Sequence, residues 1–139
     1  FFGAYELRPN QQIFYYLKSG AGETTRLDLD RPLSENILLR YENDVTWTDT
    51  NDKFIFFTGP ILFHKFGDIR GISYSAKVVG ESKPTWHVND YRLEVSYRRE
   101  ILRRWFFLDV NPYIHFPKER KWESTLGFNV RFELVVGQY

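Results

Sequence analysis

From Thr125 to Val136 the chain alternates residue by residue. Leu126, Phe128, Val130, Phe132, Leu134 and Val136 are all apolar. Between them stand Thr125, Gly127, Asn129, Arg131, Glu133 and Val135, and only Val135 is a large hydrophobe. Successive side chains of a strand point to opposite faces. As a strand, this stretch therefore has one apolar face and one charged face. A half-buried strand of a soluble sandwich would show the same pattern, so the rest of the chain has to decide between environments.

Most other segments repeat the alternation. Thr25, Leu27 and Leu29 oppose Arg26, Asp28 and Asp30. Leu39, Tyr41, Val45 and Trp47 oppose Arg40, Glu42, Asp44 and Thr46, with Asn43 interrupting the apolar set. Ile72, Tyr74, Ala76 and Val78 oppose Ser73, Ser75 and Lys77. Tyr91, Leu93, Val95 and Tyr97 oppose Arg92, Glu94, Ser96 and Arg98. Phe106, Leu108, Val110, Ile114 and Phe116 oppose Asp109, Asn111 and His115. Lys53 to Phe66 is apolar on both faces, and its Gly59-Pro60 predicts a bulge or local break, because proline cannot donate to a ladder. Phe1 to about Leu17 reads as one extended segment interrupted by Pro9-Asn10. Eight segments result. No stretch holds a 3.6-residue period, so no helix is expected.

The breaks vary in length. Those at 117–123 and 81–89 are long, 102–104 and 67–69 are short, and 48–52 and 32–36 are intermediate. Short turns at one end and longer loops at the other are the habit of outer-membrane barrels. The longest apolar run, Ile13 to Leu17, is far below the roughly 20 residues of a membrane helix. Aromatic residues reach 19% of the chain, high for a soluble domain carrying so few other large hydrophobes. The expected fold is all-β, one domain over residues 1–139. It is an antiparallel up-and-down transmembrane β-barrel of about eight strands, closed first on last, or part of a larger barrel.

The chain resembles Gram-negative outer-membrane β-barrel proteins from roughly Glu23 onward. The resemblance is carried by Arg26-Leu27-Asp28-Leu29-Asp30, Tyr91 to Arg98, Trp105 to Pro112 and Phe128 to Leu134. The stretch from Trp105 is similar to the C-terminal hairpin of a group of proteobacterial barrel proteins with no assigned activity. The resemblance implies residence in the bacterial outer membrane. It also implies partners in outer-membrane lipids and lipopolysaccharide, the barrel assembly machinery, and a further membrane protein. Such barrels usually end on an aromatic residue preceded by alternating hydrophobics, which the assembly machinery reads. Tyr139 supplies the aromatic and Gly137-Gln138 departs from the alternation, which leaves the run ending at Val136 as the other candidate signal.

Three sets of residues follow from the faces. Leu126, Phe128, Val130, Phe132 and Leu134 are expected to face lipid. Trp47, Trp86, Trp105 and Trp122 fall at segment ends or in loops, where amphipathic aromatics settle at a membrane boundary. Arg26, Asp28, Asp30, Arg40, Glu42, Asp44, Lys77, Arg92, Glu94, Arg98, Asp109, Arg131 and Glu133 share the inward face. Isolated buried charges are expensive, so these should pair and seal the narrow lumen of a small barrel. The expected role is a structural, scaffold or assembly component. A narrow channel for small solutes is the first alternative and a lipid hydrolase or acyltransferase the second. For catalysis only His115 invites attention, with Asp109 on its face and Ser124 and Thr125 across the hairpin. No base–nucleophile signature is present, so no catalytic residue is assigned. No histidines share a strand at ligand spacing, so neither metal nor cofactor is expected. The net charge of +1 gives no reason to expect nucleic acid. The cations Lys118, Arg120 and Lys121 suit lipopolysaccharide phosphates or plain loop solubility.

Overall fold

A computed structural model describes residues 2–8, 11–19, 22–48, 52–67, 70–102 and 106–134; for 2–22 and Leu102 it describes the backbone alone. The strands are β1 (Phe2–Arg8), β2 (Gln11–Ser19), β3 (Gly22–Ser34), β4 (Ile37–Thr48), β5 (Lys53–Phe66), β6 (Arg70–Glu81), β7 (His87–Leu102), β8 (Phe106–Pro117) and β9 (Thr125–Leu134). A single 3-10 turn, Lys118–Arg120, precedes β9. Every strand pairs antiparallel with its sequence neighbour, and the sheet order is β1 through β9. The meander of hairpins is thus the one that alternation and short connections predict.

Two expectations are corrected. The first segment is two strands: Arg8 pairs with Gln11, and the described residues form nine strands, not eight. Closure of the first strand on the last is not made among the described residues, and the sheet is open. In an up-and-down sheet the first and ninth strands run in the same direction, so they cannot form the antiparallel seam of an even-numbered barrel.

The connections sort into two ends. The end at which β4 passes to β5, β6 to β7 and β8 to β9 is the loop end; that at which β3 passes to β4, β5 to β6 and β7 to β8 is the turn end. The strand at Gly59-Pro60 keeps its register with β6, from Thr58↔Val78 to Ile61↔Ser75. The expected break is therefore a gap in the ladder and not a bulge. A bulge does occur at Asn89, where the pairing slips between Val79↔Asp90 and Gly80↔Val88. The extra residue returns His87 to the face of Glu81.

Burial is inverted relative to a water-soluble fold. The buried charged residues are Asp28, Asp30, Glu42 and Asp109, while Ile61 is the only buried large hydrophobe among the described residues. Large apolar side chains stand exposed on β3 through β7 and on β9, up to Leu126 at 79%.

Candidate functional site

The registers place every described charged residue of the expected network on one face of the sheet. Arg26 opposes Asp44, Asp28 opposes Glu42, and Asp30 opposes Arg40. Lys77 opposes Arg92, Arg98 opposes Asp109, and Asp109 opposes Arg131. Period-two alternation is enough to produce this, because cross-strand partners share a face and each register carries the polar face of one strand on to the polar face of the next.

Two ion-pair chains form on that face. In the first, Asp30 takes two bonds from Arg40 at 2.7 Å, and Arg40 reaches Asp28 at 3.6 Å. Asp28 takes Arg26 at 3.1 Å, and Arg26 and Lys77 both meet Glu42 Oε2 at 3.2 Å. The signs alternate along all six residues, so each carboxylate is neutralised locally and the burial cost is offset. The Lys77–Glu42 contact bridges β4 and β6 over β5. Gly59 lies between them in the same cross-strand row. A Cβ at Gly59 would sit 2.0 Å from the Ala76 carbonyl oxygen, so only glycine fits there.

The second chain runs Glu133–Arg98–Asp109–Arg131 across β7, β8 and β9. Arg98 meets Glu133 at 2.8 Å and Asp109 at 3.4 Å. Arg131 donates from Nε and Nη2 to Asp109 at 3.2 and 2.9 Å. Asp109 is 2% exposed.

Three expected members stand outside these chains. Asp44 accepts a bond from Thr46 at 3.3 Å. Among the described residues Arg92 pairs with Asp90 alone, at 3.7 Å, and lies 6.0 Å from the Tyr113 ring. Glu94 makes no ion pair among the described residues. Sequence reasoning also missed a cluster at the loop end. His115 Nδ1 meets Asp90 Oδ2 at 3.2 Å, and Asp90 Oδ1 accepts the Phe116 N–H at 3.0 Å. The partner of His115 is thus Asp90 and not Asp109. The Thr125 hydroxyl accepts from Arg120 at 3.2 Å, and no hydrogen bond joins it or Ser124 to His115. Beside this cluster Lys53 pairs with Glu81, and His87 Nε2 lies 3.4 Å from Glu81. The signal for Asp90 was its strand alternation with Arg92, hidden because the bulge at Asn89 sits beside it.

Comparison with protein-family models, curated proteins and solved structures finds no match.

On the opposite face, Leu126, Phe128, Val130, Phe132 and Leu134 are exposed side by side on β9. Trp47, Trp86 and Trp122 all gather at the loop end. Trp86 stacks on Phe54 at 6.4 Å and packs on Phe56 at 5.9 Å. Trp122 lies 5.3 Å from Tyr91. Trp47 donates from its indole to Asp52, which also takes Lys83 at 2.9 Å and so ties two loops together. Trp105 lies outside the described residues. Lys118, Arg120 and Lys121 stand exposed in the turn before Trp122. No group of three or more His, Asp or Glu among the described residues is placed to hold a metal ion.

Proposed function

We propose that this chain forms wall of a transmembrane β-barrel in the bacterial outer membrane and serves as a structural, scaffold or assembly component with a charge-sealed interior. The observation that carries the reading is the inverted burial: carboxylates inside, large hydrophobes outside. In water the exposed apolar face would be unfavourable, at about 25 cal/mol per Å² of apolar surface, and so large a patch marks an interface. Lipid is the environment that makes such a face favourable. Strands β3 to β9 run 10 to 16 residues, enough for the roughly 9–11 that a tilted strand needs to cross a bilayer. Three tryptophans at one level suit a head-group boundary.

The exposed Lys118, Arg120 and Lys121 beside Trp122 suit contact with lipopolysaccharide phosphates. Barrel assembly machinery and a further membrane protein are the expected protein partners. The two ion-pair chains fill the polar face with neutralised charge, which favours a sealed interior over a pore. Planar-bilayer recording of the purified protein tests this. Silence together with detergent-resistant folding is the expected result. Steady unitary currents that change on Arg98→Gln or Arg131→Gln would replace the sealed reading with a channel.

A further inference from the structure

The apolar face is not level. From β4 to β9 it carries an apolar groove of about 580 Å³. Leu39 and Tyr74 stand in one cross-strand row of this groove, and Leu93 and Leu126 in the next. Among these tall side chains Pro60, Ala76 and Pro112 are short, which leaves the space.

The groove does not stay at one depth. Strands of a barrel tilt by about 35–45°, so a row of cross-strand partners descends as it passes from strand to strand. Leu126 is one position from the loop-end residue of β9, Ile114 three from that of β8 and Ala76 five from that of β6. Leu39 is nine from that of β4. The groove therefore opens near the loop end at β9 and reaches the far half of β4. With the longer loops on the outer side, it runs from the outer head-group boundary into the hydrocarbon.

Its upper end lies beside a cationic loop. Leu126 follows Thr125, whose hydroxyl accepts from Arg120 at 3.2 Å. That bond ties the Lys118–Arg120 turn to the start of β9. Lys118 and Lys121 stand exposed in the same loop, and neither makes an ion pair among the described residues. The three cations outnumber the loop's carboxylates, Glu119 and Glu123. Trp122, 5.3 Å from Tyr91, sits between cations and groove, at the level where an amphipathic ring meets a head-group boundary.

We infer that loop and groove together hold one lipopolysaccharide molecule, with a phosphate against Lys118 and Lys121 and one acyl chain along the groove. The inference rests on the outer-membrane reading and turns its general phosphate contact into a defined site. Cations alone attract any anionic surface, and an apolar groove alone takes any acyl chain. The two at one end of one groove select an amphiphile with a phosphate head at the outer boundary.

The test is native mass spectrometry of the full chain released from phosphatidylcholine nanodiscs doped with lipid A, the phosphorylated acyl anchor of lipopolysaccharide. One lipid A per chain should be retained, in preference to phosphatidylglycerol at the same mole fraction. Ala76→Phe fills the groove, and Lys118→Gln with Lys121→Gln removes the charge-assisted bonds to phosphate; each should lower retention roughly tenfold. Should Ala76→Phe fail to fold, the lysine pair carries the test. Phe132→Ala, on the same face outside the groove, should leave retention unchanged. Retention no better than that of phosphatidylglycerol overturns the site, and so does retention that survives either variant in folded protein or is lost on Phe132→Ala. A stable oligomer that Ala76→Phe dissociates also overturns it, by giving the groove to a second copy. A nitroxide placed by Phe132→Cys in the same nanodiscs separates the two levels of failure. Accessible to oxygen, it leaves the outer-membrane reading standing when the groove fails; open to a water-soluble relaxant, it removes both.

Discussion

The two ion-pair chains are built alike and sit in different surroundings. Both alternate in sign, and both hold a carboxylate that is buried: Asp28, Asp30 and Glu42 in the first, Asp109 in the second. The first is flanked by paired strands on each side, and the Arg40 side chain at its centre is 25% exposed. The second ends on β9, the edge of the sheet, and its Arg131 side chain is 65% exposed. Alternation places carboxylates under the polar face wherever the strand lies. How far their cations are desolvated depends on how many neighbouring strands stand beside them. Two arginine–aspartate pairs should therefore contribute differently: a cation held between strands leaves a costly uncompensated charge when removed, and one at an open edge leaves water to replace it.

The largest effect should come from the point where the first chain crosses β5. Gly59→Val forces a Cβ into the Ala76 carbonyl and separates Lys77 from Glu42. Loss of folding, or destabilisation above about 4 kcal/mol, is expected in guanidinium titrations monitored by tryptophan fluorescence. Normal stability would mean that β5 and β6 do not approach as described. Next comes Arg40→Met, which takes from the buried Asp30 the guanidinium that gives it two bonds, leaves Asp28 with Arg26 alone, and should cost about 3–5 kcal/mol. Arg131→Met removes a cation of the same type from a carboxylate of similar burial, yet should cost only about 0–1 kcal/mol, because Arg98 remains and water reaches the site. Equal costs for the two variants would break the comparison.

The smallest effect lies at the loop end. Lys83 and then Trp47 hold the fully exposed Asp52 carboxyl below the usual carboxylate range by hydrogen bonding to it. A depressed pKa means that this tie is in place above the ordinary carboxylate pKa and is lost as pH falls through the lower, folded value. In NMR spectra the Trp47 indole N–H should keep its position down through the ordinary carboxylate range and shift only below it. Asp52→Asn should abolish that acid transition with little change in thermal stability. A transition that persists in this variant would assign it to another group.

Much of this was legible in the chain. The period of two fixed the faces of Arg26 to Glu133, and loop lengths separated the two ends. The strand count was harder, because proline inside an extended run reads equally as an interruption or a reversal, and β1 and β2 pair with each other where one segment was expected. The direction in which a last strand meets the first depends on strand parity, so that single miscount changed the expected seam as well. The individual ion pairs were out of reach for another reason. Lys77 meets Glu42 across an intervening strand, and only the combined registers of β4, β5 and β6 with a glycine between reveal it. Asp90 escaped because a bulge shifts the alternation beside it.

The central claim is that the apolar face meets hydrocarbon and the charged face does not. The chain has no cysteine, so single labels can be placed at will. Nitroxides introduced by Phe128→Cys, Phe132→Cys and Asn129→Cys, in protein reconstituted into bilayers, read the two faces of one strand. The account predicts that labels at 128 and 132 are accessible to oxygen and shielded from a water-soluble relaxant, with 129 the reverse. Labels at 128 and 132 that respond to the water-soluble relaxant as strongly as 129 would contradict it.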